Sequence, residues 1–210
     1  MNSNEFSRIK VTKIGITGGL ASGKTTASLF LQEKGCPVFD ADKEAKDILF
    51  NSPDLWEKLA QEFGPEIITE KGLDKIKLAK AAFSSRSNQS ILNSLIHPRV
   101  RNRFQDFVAK KKAKNQIVVA DVPLLFESDF EKLVDYSLLI FTDRHVRIKR
   151  ALERGNLTRK QIEKRIELQM PEEEKKKLAS YVIENNGSLK KLRKKVDHLY
   201  EKIVNKSIEK

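Results

Sequence analysis

Gly18-Gly19-Leu20-Ala21-Ser22-Gly23-Lys24-Thr25 follows the apolar run Val11 to Thr17 and fits the pattern G-x-x-x-x-G-K-[ST]. A glycine-rich turn leaves backbone N–H groups free to point inward. They cradle phosphate oxygens at the positive end of the helix that follows. Lys13 to Thr17 reads as a buried strand and Thr26 to Glu33 as a helix, so the motif stands where its chemistry needs it. The pattern implies a nucleoside triphosphate site: Lys24 reaches the β- and γ-phosphates, and the Thr25 hydroxyl ligates Mg²⁺. A bland glycine turn is the competing account.

Working outward, Pro37 to Asp40, Ile117 to Asp121, Tyr136 to Phe141 and Tyr181 to Glu184 are four more short apolar segments, separated by helical patterns. The alternation predicts an α/β fold. It takes the form of a three-layer α/β/α sandwich around a five-stranded parallel sheet, with right-handed crossovers and ligands at the carboxyl ends of the strands. The last helix shows Leu189, Leu192, Val196, Leu199 and Ile203 at three- and four-residue intervals after the cap candidate Ser188. Another starts at Ser52-Pro53-Asp54, with serine as cap, proline at the first position, and Leu55, Leu59 and Trp56 on its apolar side.

Between the second and third strands lie about 75 residues of helical character, far beyond a minimal crossover. Leu73 to Phe83, Ser90 to Ile96 and Val100 to Val108 predict three helices of an acceptor-binding insertion. The chain is thus expected to be one domain. Its nucleotide-binding core spans 10–50, 115–143 and 166–204, its helical insertion 51–114 and its helical lid 144–165. The polar tail Asn205 to Lys210 is expected to fray.

At 210 residues the chain is long enough for a sizeable core without staples. Its single cysteine, Cys36, excludes an intrachain disulfide and a multi-cysteine metal site, which suits a reducing cytoplasm; it reads as a small buried residue. The polar start Met1 to Lys10 lacks a signal-peptide core, and no apolar run approaches the ~20 residues that span a bilayer. Lysine plus arginine outnumber the acids by 41 to 29, a formal charge of +12. Much of the excess lies in Lys110 to Lys112, Lys175 to Lys177 and Lys190 to Lys195, on predicted helices without interleaved aromatics. A solvated basic face that steers an anionic metabolite is favoured over a nucleic-acid site.

Three further constellations carry chemistry. Val38-Phe39-Asp40-Ala41-Asp42 ends a strand in two carboxylates, which project to one side if the segment is extended. One of them could orient or deprotonate an attacking hydroxyl, while helix capping by either is the alternative. Ile117 to Asp121 is an apolar strand closed by an acid, as a Mg²⁺-organising carboxylate requires. It continues as Val122-Pro123-Leu124-Leu125-Phe126-Glu127, an apolar turn suited equally to an organic ligand and to the core. Finally, Arg144, Arg147, Arg150 and Arg154 line one helical face. A lid closing over triphosphate explains them better than a solvated helix. Gly155-Asn156 ends that helix, and the capping box Thr158 to Gln161 starts the next. His97, before Pro98 at a helix start, reads as structural on its own pattern, and neither His145 nor His198 suggests zinc.

In order, the chain contains ITGGLASGKT, VFDAD, LIHPRV, VADVPLLFE, RIKRALER, RIELQMP and YVIENNG. This series resembles the dephospho-CoA kinases from about Lys13 to about Ile203. The resemblance implies ATP-dependent phosphorylation of the ribose 3′-hydroxyl of dephospho-coenzyme A, the last step of coenzyme A synthesis. Asp42 then corresponds to the catalytic base, supported by Lys24 and the lid residue Arg150. ATP would lie on Gly18, Gly19, Leu20, Ala21, Ser22, Gly23, Lys24, Thr25 and Thr26, with Arg154 in the lid and Asn185 to Gly187 near adenine. Thr25 and Asp121 would hold Mg²⁺. Asp42, His97, Pro123, Leu124, Leu125 and Glu127 would hold the acceptor.

The resemblance has three departures. Ala21 stands where many relatives have glycine, at a position expected to be unrestricted; Ser180 replaces a common aspartate; and Arg147 replaces a frequent glutamine. The implied partner is dephospho-CoA, with no nucleic acid or membrane, and a monomer is expected, an oligomer being the alternative. A nucleoside monophosphate kinase shares the core and lid, but the Pro-Leu-Leu-Phe segment and the large insertion favour an acceptor with a long non-nucleotide arm. A nucleic-acid-stimulated ATPase is the alternative from another class.

Overall fold

Apolar runs too short for helices become strands when both of their faces are buried. The computed structural model describes residues 11–111 and 117–208. In chain order, β1 (Thr12–Thr17), α1 (Lys24–Glu33) and β2 (Val38–Asp40) lead into α2 (Ala41–Asn51), α3 (Pro53–Phe63), α4 (Lys75–Ala82) and α5 (Arg86–Lys111). Then come β3 (Ile117–Asp121), β4 (Tyr136–Phe141), α6 (Arg144–Glu153), α7 (Arg159–Glu167), α8 (Glu172–Leu178), β5 (Tyr181–Glu184) and α9 (Leu189–Ile208). The sheet order is β2-β3-β1-β4-β5 with every pair parallel, Ile14 standing opposite Val119 and Tyr136. All five strands expected from the sequence are present.

Two compact units divide the chain, one running to Asp40 and resuming at Phe107, the other Ala41–Asp106. The first contains the sheet. On one face of β1, Ile14 and Ile16 cluster with Ala27, Phe30 and Leu31 of α1 and with Leu192, Val196 and Ile203 of α9. Each of the larger of these side chains contributes about 1.5–3 kcal/mol on burial. Gly15 faces the other way, where a Cβ would lie 2.8 Å from Leu125 Cδ1 and 3.1 Å from Val134 Cγ2. The sheet is therefore covered on both faces. Cys36 belongs to the α1/α9 side, and burial pushes its thiol up to about 11, so it is an inert packing residue.

Two expectations for α9 change. Leu189 is 62% exposed and lies outside the buried stripe, because it is the first residue of the helix. The helix continues to Ile208, so Asn205 onward does not fray there; the last two residues lie outside the described range, as do Met1 to Lys10 and Lys112. Ser188 caps as expected, its Oγ accepting from Lys191 N at 3.4 Å.

The second unit is helical apart from a small hairpin, Ile68–Thr69 with Gly72–Leu73. Leu73 is therefore a strand residue, and α4 begins only at Lys75, because Asp74 accepts from Ile76 N and Lys77 N and caps it. Pro53 opens α3 as expected, but Ser52 caps with its carbonyl, which accepts from Leu55 N at 2.9 Å, and not with its hydroxyl. The two helices expected at 90–96 and 100–108 are one, α5, with Pro98 inside it. Arg103 binds Glu44 (2.9 Å) and Asp47 (2.5 Å), joining α5 to α2.

Candidate active site

β1 delivers the chain to the phosphate loop after Thr17, and α1 starts at Lys24. Gly23 has φ +95°, and a Cβ there would strike Asn185 Nδ2, so conformation and space both require glycine. Asn185 Nδ2 donates to Ser22 O at 2.7 Å, and Thr142 Oγ1 donates to the same carbonyl at 3.0 Å. Asn185 N in turn donates to Phe141 O at 2.8 Å. Residues just past β4 and β5 thus hold the loop open. This gives Asn185, which is 6% exposed, a structural task in the loop. Neither Thr142 nor this use of Asn185 has a local sequence signal.

Ala21 corrects one expectation. Its φ of 61° lies in the left-handed region, so the position is conformationally restricted, at a cost of about 1–2 kcal/mol for a residue with a Cβ. Its methyl packs with Ala151 of α6 and Ile162 of α7, with Leu20, Ile148 and Ile166 around them. The paired helices α6 and α7 are thus anchored on the loop itself.

Lys24 Nζ is ion-paired with Asp121 Oδ1 at the end of β3, and Ser28 Oγ donates to Asp121 Oδ2 at 2.8 Å. Thr25 is exposed in the first turn of α1 and Thr26 is half-buried. A hydroxyl and a carboxylate at these positions are hard oxygen donors of the kind Mg²⁺ prefers.

The acidic pair differs from its extended reading. β2 ends at Asp40 and α2 begins at Ala41, so Asp42 lies in the first turn of a helix, where its charge complements the helix dipole. His97 likewise lies within α5 and not at a helix start. It is half-buried, and burial, helped by the Arg101 charge, holds its imidazole below the usual histidine range.

In the segment after β3, Leu125 is fully buried against Gly15, so it belongs to the core and not to an acceptor surface. Pro123 O accepts from Thr17 Oγ1 at 3.0 Å. Glu127 Oε1 pairs with Lys175 Nζ at 3.0 Å and accepts from Met170 N at 2.9 Å, so its carboxylate is committed within the fold. Lys175 is 0% exposed, which removes it from the solvated basic run. Ser180 and Ser137 form a reciprocal clasp: Ser180 N donates to Ser137 Oγ (2.9 Å) and Ser137 N to Ser180 Oγ (3.1 Å). Serine thus ties β4 to β5 where the family commonly has aspartate.

The four arginines expected to share a lid face separate. Arg144 and Arg154 are exposed, Arg150 Nη2 donates to Gly187 O at 3.2 Å, and Arg147 is only 5% exposed, contrary to a common solvated face. The turn between the helices is as expected. Gly155 has φ +71°, and Thr158 and Gln161 form the capping box, with Thr158 N donating to Gln161 Oε1 at 2.9 Å.

The sequence model of the dephospho-CoA kinase family matches residues 12–191. The chain belongs to the dephospho-CoA kinase family. A dephospho-CoA kinase of Fusobacterium nucleatum is 41% identical over 191 residues, which cover 90% of this chain and 97% of that one. Among solved structures, TT1252 from Thermus thermophilus matches with a TM-score of 0.79 at 33% identity, covering 92% of this chain and 98% of its own. The dephospho-CoA kinase from Campylobacter jejuni matches with a TM-score of 0.69 at 26% identity, covering 91% and 96%. As a member of the dephospho-CoA kinase family, the chain is a kinase built on a phosphate-loop α/β core.

Proposed function

We propose that the chain transfers the terminal phosphate of ATP to the ribose 3′-hydroxyl of dephospho-coenzyme A, giving coenzyme A and ADP. The observation that carries this reading is the braced phosphate loop with Lys24 at the head of α1, in a chain that matches the family from residue 12 to 191. Loop N–H groups and Lys24 hold the phosphates and stabilise the charge that develops between them. Thr25 and Asp121 hold Mg²⁺, which neutralises phosphate charge when bound. Asp42 accepts the hydroxyl proton as general base, and Arg150 and Arg154 of the lid meet the transferring group. His97, Pro123 and Leu124 contribute to acceptor binding, and Gly187 to the adenine side.

The chain works as a monomer in the cytoplasm, on small molecules and not on nucleic acid. Among the described residues no helix is long and apolar enough to cross a membrane. ADP release tests the reading. It should depend on dephospho-CoA, respond little to nucleoside monophosphates or oligonucleotides, and fall in kcat with Asp42→Asn while ATP affinity is kept. Release indifferent to dephospho-CoA would overturn it; a crippled Asp40→Asn beside a mild Asp42→Asn would move the base to Asp40.

A further inference from the structure

Arg147 on α6 and Glu172 at the start of α8 have no part in the reaction as described above, yet both press on the phosphate loop. A Cβ on Gly19 would collide with Arg147 Nη1 and lie 2.9 Å from Glu172 Oε1. Arg147 Nε is buried without a hydrogen-bond partner among the described residues, and the buried Glu172 carboxylate, which makes no side-chain hydrogen bond there, faces the backbone N–H of Gly19 in the loop. Such idle polar atoms are uncommon inside proteins, and an arginine with five donors ordinarily uses several of them when it is buried. Burial pushes the Glu172 carboxyl up and the Arg147 guanidinium down, while each charge opposes the shift of the other. The other charges facing them are Arg144, Lys175 and Glu127.

The connection that leads to Glu172 also occupies a backbone N–H of the loop, with a side chain. Gln169 Oε1 accepts from Leu20 N at 3.3 Å, one of the N–H groups in the stretch that cradles phosphate oxygens. A carboxylate and an amide oxygen from one short connection therefore lie where anionic oxygen is bound. A guanidinium with spare donors stands beside them.

We propose that Arg147 is a further phosphate-binding residue of this site, and that Glu172 is its resident counter-anion, displaced from the guanidinium when a nucleotide phosphate enters the loop. The inference rests on the loop being the triphosphate site. It gives the two residues opposite signs: Arg147 attracts the incoming phosphate, and Glu172 competes with it. A pair that only supports the fold has no such asymmetry.

Calorimetric titration of the full chain with a non-hydrolysable ATP analogue and with ADP separates the two. Glu172→Gln keeps the shape and removes the charge, and should tighten analogue binding by about fivefold or more. Arg147→Gln should weaken it by about tenfold, since a charge-assisted contact is lost, and Arg147→Lys should recover part of that. Melting curves of the free variants establish that they fold. If Arg147→Gln does not fold, the direction of the Glu172→Gln change decides: tightening supports the proposal, and weakening or no change overturns it. With wild-type binding intact, same-direction effects of the two neutral variants, or changes under about twofold, would overturn the proposal alone. Failure of the wild type to bind analogue would overturn the phosphate-loop reading with it.

Discussion

Removing Lys24 strands a carboxylate as well as deleting the proposed phosphate ligand. The side chains of Lys24 and Asp121 are 14% and 8% exposed, and without the lysine the Asp121 carboxylate keeps, among the described residues, the Ser28 hydroxyl as its side-chain partner. Breaking a buried pair from one side costs about 3 kcal/mol, far more than the loss of an exposed lysine. Lys24→Ala should therefore reduce turnover by about a hundredfold or more and also lower the melting temperature of the free protein. Adding Asp121→Asn to that variant should recover stability but no activity. Turnover and thermal melts of the two variants check both parts. An unchanged melt would mean that solvent screens the pair, and near wild-type turnover would contradict the loop mechanism. The lysine itself is legible from its motif. Its partner in the free protein is not, because the pairing joins residues that parallel strands bring together from 97 positions apart.

Among the elements, α5 sets local chemistry against tertiary burial. Pro98 cannot donate to the carbonyl four residues earlier and crowds it, at a cost of about 3 kcal/mol in a helix interior. Leu92, Ile96, Val100 and Phe104 recur every four residues on one face and all are buried, each contributing about 1.5–3 kcal/mol, so the helix continues. A breaker is visible in sequence, whereas the burial that overrides it is not. His97 sits at that proline with its folded-state pKa held below the ordinary value of 6.5. The unfolded chain then binds the proton more readily, so stability is fully present above about 6.5 and is lost as pH falls through the lowered value. Urea unfolding followed from neutral to mildly acid pH should show this loss, and His97→Gln should flatten it. An identical slope in the variant would assign the loss to carboxylates. The arginine helix α6 is legible to the same depth: spacing marks the helix and its terminating glycine, but Arg147 is buried because Gly19 leaves room for its guanidinium.

At the scale of the whole molecule, the strands and the ordered motifs are legible because each rests on local periodicity or glycine geometry, and those are the features the family match covers. What is not legible is how charge is distributed. The +12 excess suggests solvated basic faces, yet Lys175 is buried against Glu127, Arg193 of α9 pairs with Glu33 at 2.6 Å, and Lys195 donates to Glu184 O at 2.6 Å. Part of the basic charge therefore braces the fold. An active site that is a kinase of the proposed kind must place its phosphate on one hydroxyl, and that makes the product more decisive than the rate. Incubation with ATP, Mg²⁺ and dephospho-CoA, followed by phosphorus–proton correlation NMR of the product, reads the site of transfer. A new phosphate on the ribose 3′-oxygen, with ADP formed in equal amount, is the expected result. Phosphate on any other position, or ADP released with dephospho-CoA unchanged, would contradict it.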